Sequence, residues 1–523
     1  MLCTRITNAN IITMDPARPA GHELGIWRGL IVGVDDEVAA LPARRVLDLG
    51  GATLLPGFID AHVHLMWAGL AARAVSIAPS TAIDDILSTV ATAAAATAPD
   101  DWVELSGYDQ RPLGRHLTAA ELDTVSAGRK VFLGHVSGHG CVVNTAVLDL
   151  LPVGSTRTAG FLAEEAMAAA RLLRPPRSLV ELAAAIEQAA GVCRTEGITA
   201  CAEAGLGSEL FAYGPLDAGA FQLALDQGRL TVRTQLMVAA NALGPVEASP
   251  HDRTTHAISL GLRSGFGDGR LSLGALKIFT DGGMMARTAA LSSPYQGSSE
   301  SGQLQQTARP LKDIIVEGHL AGWQLAVHAI GDRAVDVALD ALAEAQRQHP
   351  RPHARHRIEH AGLVRPDQLP RFAALGVSAV IQPGFLRHFG DDYAAIMGDE
   401  RAPWLYRGRG FLDNGVRLVG SSDRPVADGA PLRAIQFMVE RASLSGQIIG
   451  PDEGVTVEEA LRAYTSDAAY TCHWEDSAGT ISAGKRADLV VLADDPRRVP
   501  SSAIGSIEVL GTFLEGESES YGL

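Results

Sequence analysis

Residues 57–64 read Gly57-Phe-Ile-Asp-Ala-His62-Val-His64, a short apolar run that ends in two histidines one residue apart. Residues i and i+2 of a β-strand point to the same side, so His62 and His64 are expected to project together from the end of a strand. Two neighbouring imidazoles are the start of a zinc-type site. Two surface histidines on an edge strand give the same pattern, so other parts of the chain must decide between the two interpretations.

Seven further apolar runs follow, each succeeded by a segment with the apolar spacing of a helix. They are Ile198–Ala202, Leu230–Val238, Leu273–Phe279, Gln324–His328, His356–His360, Val377–Gln382 and Val416–Ser421. Strands that alternate with helices predict a parallel sheet, and eight such strands predict an α/β fold built on a closed (β/α)8 TIM barrel.

A ninth run, Val131–Gly134, falls in the long interval between the first two strands. A crossover between parallel strands needs only about a dozen residues, so we interpret residues 68–190 as an insertion after the first barrel strand. Thr81–Ala98, Glu164–Leu173 and Ser178–Thr195 have apolar residues at helical spacing. The insertion is therefore predicted to be large and mostly helical.

Both ends of the chain carry short β-segments separated by turn residues. These are Thr4–Met14, Leu30–Val34 and Arg45–Leu49 near the start, and Ala487–Leu492 and Ser506–Leu514 near the end. A small β-sandwich assembled from both termini accounts for them, and two unrelated flanking ribbons are the alternative. The predicted domains are residues 1–55 and 476–523 for the sandwich and residues 56–475 for the barrel with its insertion.

The composition excludes several classes of protein. With 46% hydrophobic and 20% charged residues, the 523-residue chain can build a large core and is not predicted to be disordered. A net charge of −16 argues against a nucleic-acid partner. We see no apolar run long enough for a membrane span, no signal-peptide pattern, and no CxxC among the five cysteines. We therefore expect a cytoplasmic protein that acts on a small molecule, with a homodimer as the commonest form of assembly.

Later strands also end in side chains that can bind a metal. His328 and His360 each close a strand, Asp423 follows the last one, and Lys277 stands inside the fourth. The carboxyl ends of TIM-barrel strands meet at one mouth. Four histidines, one lysine and one aspartate are therefore expected to converge there.

Lys277 is the unusual member of this set, because burial of a lysine is costly and tends to remove its charge. It either snorkels to solvent or pairs with Asp281, or its neutral amine has reacted with carbon dioxide. The carbamate formed in that reaction is a carboxylate-like anion that can bridge two cations.

Eight blocks of sequence carry a resemblance to a known family. They read LLPGFIDAHVHL, GITACAEAG, LKIFTDGGMMARTAAL, LAVHAIGDRAVD, HRIEHAGLV, VGSSDRPV, LRAYTSDAAY and GTISAGKRADLVVLADDP. With them the chain resembles the YtcJ-like (amidohydrolase 3) branch of the metal-dependent amidohydrolase superfamily over nearly its whole length. The resemblance implies a barrel with a small β-sandwich made from both termini.

The resemblance also implies a role for each converging side chain. His62 and His64 would hold the more buried metal together with Asp423, which would also serve as general base and acid. Lys277, as an N6-carboxylated lysine, would bridge to a second metal held by the histidines of the fifth and sixth strands. Two divalent ions are thus the implied cofactors, and zinc is the expected metal, although such ligands also admit manganese, iron or cobalt.

Four residues are expected to contact the substrate. His139 and Asn144 belong to the insertion, which the resemblance places over the barrel mouth, Trp67 follows the first histidine pair, and Arg287 follows the lysine strand. The alternatives are a loop position for His139, a core position for Trp67, and a pair with Asp281 in place of an anionic substrate group for Arg287.

Residues around the sixth strand are expected to be structural. Strand alternation turns Glu359 away from the face of His360, so we expect it to pair with Arg357. His353 and His356 are expected at the surface or in a loop.

These assignments predict a hydrolase of a C–N bond in an amide, an N-acyl or N-formyl compound, or a cyclic amide. A cation would lower the pKa of water and polarise the carbonyl group, and Asp423 would move the proton from water to the leaving nitrogen. A deaminase with one metal is the alternative enzyme, and it would not need a carboxylated Lys277. A non-catalytic binding barrel is the third interpretation, and the presence of all six ligands argues against it.

Overall fold

The computed structural model describes residues 1–152, 159–208, 213–214, 216–249, 251 and 254–521. Seven strands open the chain: β1 (Leu2–Thr7), β2 (Asn10–Ile12), β3 (Ala20–Gly21), β4 (Leu24–Trp27), β5 (Leu30–Val34), β6 (Ala43–Asp48) and β7 (Thr53–Pro56). Four of them form a sheet in the order β5-β4-β1-β6. Buried and half-buried residues alternate along β1, so one face of this sheet packs on a core.

The first barrel strand, β8 (Phe58–Val63), leads directly into the insertion. Its elements are α1 (Leu65–Arg73), β9 (Val75–Ser76), α2 (Ile83–Ala96), β10 (Trp102–Tyr108), α3 (Ala119–Asp123), β11 (Lys130–His135), β12 (Gly140–Val143), α4 (Thr145–Leu148), β13 (Phe161–Ala163), α5 (Glu165–Leu172) and α6 (Leu179–Thr195). The insertion contains its own sheet, in the order β13-β12-β11-β10-β9. The insertion is thus mostly helical, as expected, and its five-stranded sheet is an addition that the sequence did not reveal. Strand β12 is buried throughout, so no alternation of polar and apolar residues marks it in the sequence.

The remaining elements alternate strands with helices. They are β14 (Ile198–Leu206), α7 (Asp217–Asp226), β15 (Arg233–Ala239), β16 (Gly244–Pro245), β17 (His256–Ala257), β18 (Leu271–Phe279), α8 (Ala308–Leu320), β19 (Leu325–Ala329), α9 (Asp332–Gln348), β20 (Arg357–His360), α10 (Leu369–Leu375), β21 (Ser378–Ile381), α11 (Pro383–Met397), α12 (Arg409–Asp413), β22 (Leu418–Gly420), α13 (Pro431–Glu440), α14 (Val457–Ala463), α15 (Ser466–Thr471), β23 (Leu489–Leu492) and β24 (Val509–Phe513). No helix in the described part of the chain combines the length and apolar character needed to cross a bilayer.

Eight parallel strands form the nearly closed barrel that the sequence predicts. Their order is β22-β21-β20-β19-β18-β15-β14-β8. The two ends of the sheet are tied together by backbone hydrogen bonds, in which the Asp423 N–H donates to the His62 carbonyl (2.8 Å) and the His64 N–H to the Arg424 carbonyl (2.9 Å). Closure therefore brings the first and last predicted ligands side by side.

The connection from β15 to β18 differs from the other crossovers. Its described residues, 240–249, 251 and 254–270, contain the short β16–β17 pair and turns but no α-helix. The first three residues of β18 are half-buried, whereas β15 is buried throughout.

The chain termini build the predicted β-sandwich. A second sheet has the order β24-β23-β7-β2-β3, so strands from both ends of the chain pair within it. Its buried side chains, among them Leu54, Leu489 and Phe513, share one core with Ile6 and Ile26 of the first sheet. The alternative of two separate ribbons is excluded.

The interior of the barrel is filled by small apolar residues. Ala61, Ala200, Ala202, Ala275 and Ala326 all point into it. Bulky branched residues are more usual in this position. The space left by the alanines admits long polar side chains beneath the barrel mouth, and these side chains support the site described next.

Candidate metal centre

Three of the six predicted ligands form a compact buried group at the barrel mouth. Possible ligand atoms of His62, His64 and Asp423 all lie within 4.8 Å of one another. Asp423 Oδ1 is 3.1 Å from Nε2 of His64 and 3.3 Å from Nε2 of His62. Such spacing leaves room for one cation between the three side chains.

Lys277 lies next to these three residues, on the side of His62. Its Nζ lies 3.3 Å from His62 Nε2, and the residue is only 1% exposed. It does not pair with Asp281, because that carboxylate accepts the backbone N–H groups of Ile330 and Gly331. Burial lowers the pKa of Lys277 to about 8.

The two other predicted ligands lie next to the group. The rings of His328 and His360 are 4.4 Å apart, and His360 is 5.0 Å from His62. His360 Nδ1 is 2.7 Å from the amide oxygen of Gln382, which fixes the N–H at Nδ1 and turns the lone pair of Nε2 to the centre. The structure therefore brings all six side chains to one place.

The charges and hydrogen bonds of this site fit a divalent ion. Burial lowers the pKa of His64 to about 4 and that of His360 well below its usual value, so both imidazoles are neutral, as metal ligands must be. Burial alone would raise the pKa of Asp423, but His62 and His64 outweigh it and hold that pKa well below its usual range. Asp423 Oδ1 is nevertheless buried and receives no hydrogen bond from the described residues. A buried anionic oxygen that accepts no hydrogen bond and faces two imidazole nitrogens fits the donor set of a divalent ion.

Glu359 contacts His62 from inside the barrel, and the sequence did not reveal this contact. It pairs with Arg357 as expected, but its carboxylate also accepts the Nδ1–H of His62. Strand alternation fails because His360 has a φ of 68°, so the backbone turns at that residue and both Glu359 and His360 reach the interior. This hydrogen bond places the lone pair of His62 at Nε2, facing Asp423 and Lys277.

Replacing Glu359 by glutamine is therefore expected to weaken metal binding about 10- to 100-fold. Competition with a chromophoric chelator measures this affinity directly. Because Arg357 would be left as an unpaired buried charge, the double variant Glu359→Gln with Arg357→Met serves to separate folding defects from the loss of affinity. Metal affinity equal to that of the wild type would show that Glu359 does not orient His62.

Two of the four expected substrate contacts lie at the centre. His139 is buried, its ring is 5.6 Å from that of His328, and its Nδ1 is 3.1 Å from Glu164. The ring of Trp67 is 5.6 Å from that of His64. Glu164 also accepts a hydrogen bond from Gln305 (2.7 Å), which ties the insertion to the loop after β18.

The other two expected contacts are placed differently. The side chain of Asn144 accepts the Val131 N–H (3.1 Å) and donates to the Arg129 carbonyl (2.8 Å), so its polar atoms are used within the insertion. Arg287 is exposed on the loop after β18 and does not pair with Asp281. We therefore leave Asn144 out of the proposed substrate pocket.

His356 corrects the expectation of a surface position, since it lies in the irregular residues just before β20 but is buried. It is 3% exposed, its Nδ1 accepts the Leu325 N–H (3.0 Å), and its Nε2 is 2.7 Å from Nδ1 of His319. The start of strand β20 is covered by α8, which carries His319. A polar residue before a strand can therefore be buried once a helix supplies its partner.

Aromatic rings that sequence reasoning did not single out pack against two of the predicted ligand histidines. Phe279 lies 5.5 Å from His328 and Phe385 6.2 Å from His360, measured between ring centroids. Phe279 occupies the position two residues beyond Lys277 on the same strand, and this i+2 relation was the available signal.

Comparison with known proteins agrees with this geometry. The model of the amidohydrolase family matches residues 45–518. The chain is 28% identical to an N-substituted formamide deformylase of Arthrobacter pascens over 98% of this chain and 97% of that protein. It is 27% identical to the putative amidohydrolase YtcJ of Bacillus subtilis (strain 168), over 91% and 90% of the two chains.

The crystal structure of an uncharacterized metal-dependent hydrolase from Pyrococcus horikoshii OT3 has a TM-score of 0.76 and 26% identity, and the match covers 95% of this chain and 99% of that one. A family match over most of its length makes this chain a member of the amidohydrolase family, a hydrolase of carbon–nitrogen bonds.

Proposed function

We propose that the chain hydrolyses the C–N bond of a small amide, an N-acyl or N-formyl compound or a cyclic amide, with two divalent ions, preferably zinc. His62, His64 and Asp423 would hold the first ion. A carboxylated Lys277 would bridge to the second, which the two remaining histidines would hold. The observation that carries this proposal is the buried Oδ1 of Asp423, which accepts no hydrogen bond within the described part of the chain although it lies 3.1 Å and 3.3 Å from imidazole nitrogens of His64 and His62.

Divalent ions in this position supply Lewis acidity, which lowers the pKa of water and polarises a carbonyl group. Asp423 is placed to accept a proton from the attacking water, since its pKa is held low and its carboxylate is ionised. The same carboxyl group then delivers the proton to the nitrogen that leaves. The amide nitrogen departs as an amine and the acyl carbon as a carboxylic acid.

The substrate would be held by residues at the mouth. Burial alone would lower the pKa of His139, but Glu164 outweighs it and raises that pKa. His139 can therefore donate from Nε2 to the substrate carbonyl oxygen, while Trp67 covers one side of the pocket. Arg287, which is exposed at the rim, would reach an anionic group at the outer end of a substrate.

Carboxylation of Lys277 should depend on pH in a defined direction. Only the neutral amine reacts with carbon dioxide, and a pKa of about 8 leaves roughly one tenth of it neutral at pH 7. When metal-free protein receives zinc at a fixed concentration of dissolved carbon dioxide, with bicarbonate adjusted at each pH, the rate of activation should therefore rise between pH 6 and 8 and level off above 8. A rate that does not change over this range would argue against carboxylation.

Metal analysis combined with a screen of amides tests the proposal. We expect two equivalents of zinc for each chain and turnover of at least one N-acyl, N-formyl or cyclic amide. A single ion with turnover of an amino-substituted heterocycle would instead indicate a deaminase. That alternative is favoured by the fact that, in the described residues, only His62, His64 and Asp423 converge within 4.8 Å. No turnover despite full metal loading would indicate a binding barrel.

We also propose that the protein works in a reducing compartment, the cytoplasm. All five cysteines are free, and four of them, Cys141, Cys193, Cys201 and Cys472, are buried. Free buried thiols are typical of proteins that are not exposed to oxidising conditions.

A further inference from the structure

The hydroxyl group of Tyr406 lies near the metal centre and has no hydrogen-bond partner among the described residues. Tyr406 is 0% exposed. Its Oη lies beside Gly362, since a Cβ added to that glycine would stand 3.3 Å from Oη and 3.0 Å from Ile330 Cγ2. Gly362 and Ile330 follow the predicted ligands His360 and His328 by two positions each. The hydroxyl is therefore placed just beyond the carboxyl ends of β19 and β20, at the barrel mouth.

The ring and the backbone of Tyr406 are both fixed in this position. The ring centroid is 5.7 Å from that of Phe385, and Phe385 in turn stacks on His360. The Tyr406 N–H donates to the Gly362 carbonyl (2.8 Å), and the Tyr406 carbonyl accepts from Arg441 (2.7 Å). Its φ of 40° lies in the left-handed region, which a non-glycine residue keeps only where the surroundings support it. The hydroxyl is thus held in one place by groups that do not bind it.

Tyr406 and His139 lie on opposite sides of His328. His139 packs beside Gly283, just beyond β18, with its Cδ2 3.3 Å from the point where a Cβ of that glycine would be. Tyr406 adjoins the end of β20, and β19, which carries His328, lies between β18 and β20 in the sheet. The two side chains therefore flank any group that is bound at His328.

The hydroxyl can act as a hydrogen-bond donor at neutral pH. Burial raises the pKa of Tyr406 well above its usual value, and the nearby carboxylates of Asp423 and Asp281 add to this effect. The phenol therefore keeps its proton. A buried hydroxyl without a partner destabilises the folded protein, because it has lost its hydrogen bonds to water. Such a group in a native site requires an explanation, and a bound ligand provides one.

We propose that Tyr406 is a catalytic residue whose hydroxyl donates a hydrogen bond to the carbonyl oxygen of the amide, on the side opposite His139. This inference rests on the proposed amide hydrolysis. The carbonyl oxygen becomes anionic when water adds to the carbonyl carbon, so the hydrogen bond from Tyr406 is strongest in the transition state. Loss of the hydroxyl should therefore lower kcat more than it raises KM.

The variant Tyr406→Phe tests this role, because it removes the hydroxyl and keeps the ring. We expect kcat to fall about 10²-fold with little change in KM or in zinc content. The melting temperature of the metal-free variant should equal or exceed that of the wild type, since an unpartnered buried group is removed. Tyr108→Phe is the matched control. Tyr108 is equally buried, but its Oη accepts the Leu117 N–H (2.9 Å), so this variant should melt at a lower temperature and keep its kcat.

Binding of methylphosphonate separates this role from the proposed function, because its tetrahedral anion resembles the intermediate of amide hydrolysis. Calorimetric titration of the zinc-loaded protein should give a dissociation constant at least about 10-fold higher for Tyr406→Phe than for the wild type. If the wild type shows this difference but hydrolyses no amide, the contact stands and the proposed function fails.

Three results would overturn the role of Tyr406. The first is an unchanged kcat in Tyr406→Phe of an enzyme that hydrolyses amides. The second is a lower melting temperature or loss of folding in that variant, which would show that the hydroxyl is already bound by water or by the protein. The third is methylphosphonate binding that is absent in the wild type or equal in both proteins.

Discussion

Replacing Asp423 by asparagine is expected to abolish turnover and leave the fold intact. Asparagine keeps the size of the side chain and the backbone N–H that donates to the His62 carbonyl, but it cannot accept the proton of the attacking water. Loss of a general base and acid costs about 10²- to 10⁴-fold in rate, and the weaker metal ligand adds to that loss. We therefore expect kcat/KM to fall at least about 10³-fold. Steady-state kinetics, metal content and the melting temperature are the measurements that check it.

A second aspartate on the same loop provides the control for this experiment. Asp428 follows Asp423 by five positions and binds Arg433 (2.9 Å) and the Ala430 N–H (3.1 Å), outside the ligand group. Asp428→Asn should keep most of the wild-type activity. Full activity in the Asp423→Asn variant would remove Asp423 from the mechanism, whereas unfolding of that variant would show a structural role that its geometry does not suggest.

The sequence was sufficient to predict the barrel and the meeting of the six candidate ligands at its mouth, because each of them belongs to a repeated local pattern. Every predicted strand is a short apolar run, and each ligand stands in or directly after such a run, as His328 does after 324–327. Because the barrel closes, residues at the carboxyl ends of its strands lie around one mouth even when they are far apart in the sequence. The pairing of β8 with the end of β22 follows from closure and not from any local signal.

Features that depend on contacts between distant elements could not be predicted. Glu359 reaches His62 only because the backbone at His360 leaves the extended conformation. His356 is buried because α8 supplies His319 as its partner. In both cases the deciding contact joins residues that are 37 or more positions apart, and periodicity within one strand contains no information about it.

The insertion also contains features that local sequence patterns do not predict. Its helices were visible because their apolar residues recur with helical spacing, and β11 was visible as the apolar run Val131–Gly134. Strand β12 was not, because it is short and buried throughout. Asn144 illustrates the consequence for function. Its sequence position near a segment expected over the barrel mouth predicts contact with substrate, but its amide accepts the Val131 N–H and donates to the Arg129 carbonyl.

Replacing Lys277 by alanine is expected to reduce the bound zinc from two equivalents to one and to lower kcat about 10³-fold. The substitution removes the proposed bridging carboxylate, so the second ion keeps only His328 and His360, and two protein ligands are too few for a stable zinc site. The first ion keeps His62, His64 and Asp423. Metal analysis after dialysis, with turnover measured on the same sample, checks both parts of this expectation.

Chemical rescue distinguishes a lost bridge from a general defect. Lys277→Ala leaves a small space beside His62 Nε2, from which the Lys277 Nζ is 3.3 Å away in the wild type. Acetate or propionate can enter that space and supply the missing carboxylate, so each should restore part of the activity and the second equivalent of zinc. Lys277→Met, which fills the same space with an apolar side chain, should not respond to either acid. Two bound ions in Lys277→Ala without added acid would mean that the lysine does not bridge them, and the centre would then have to be assigned without a carbamate.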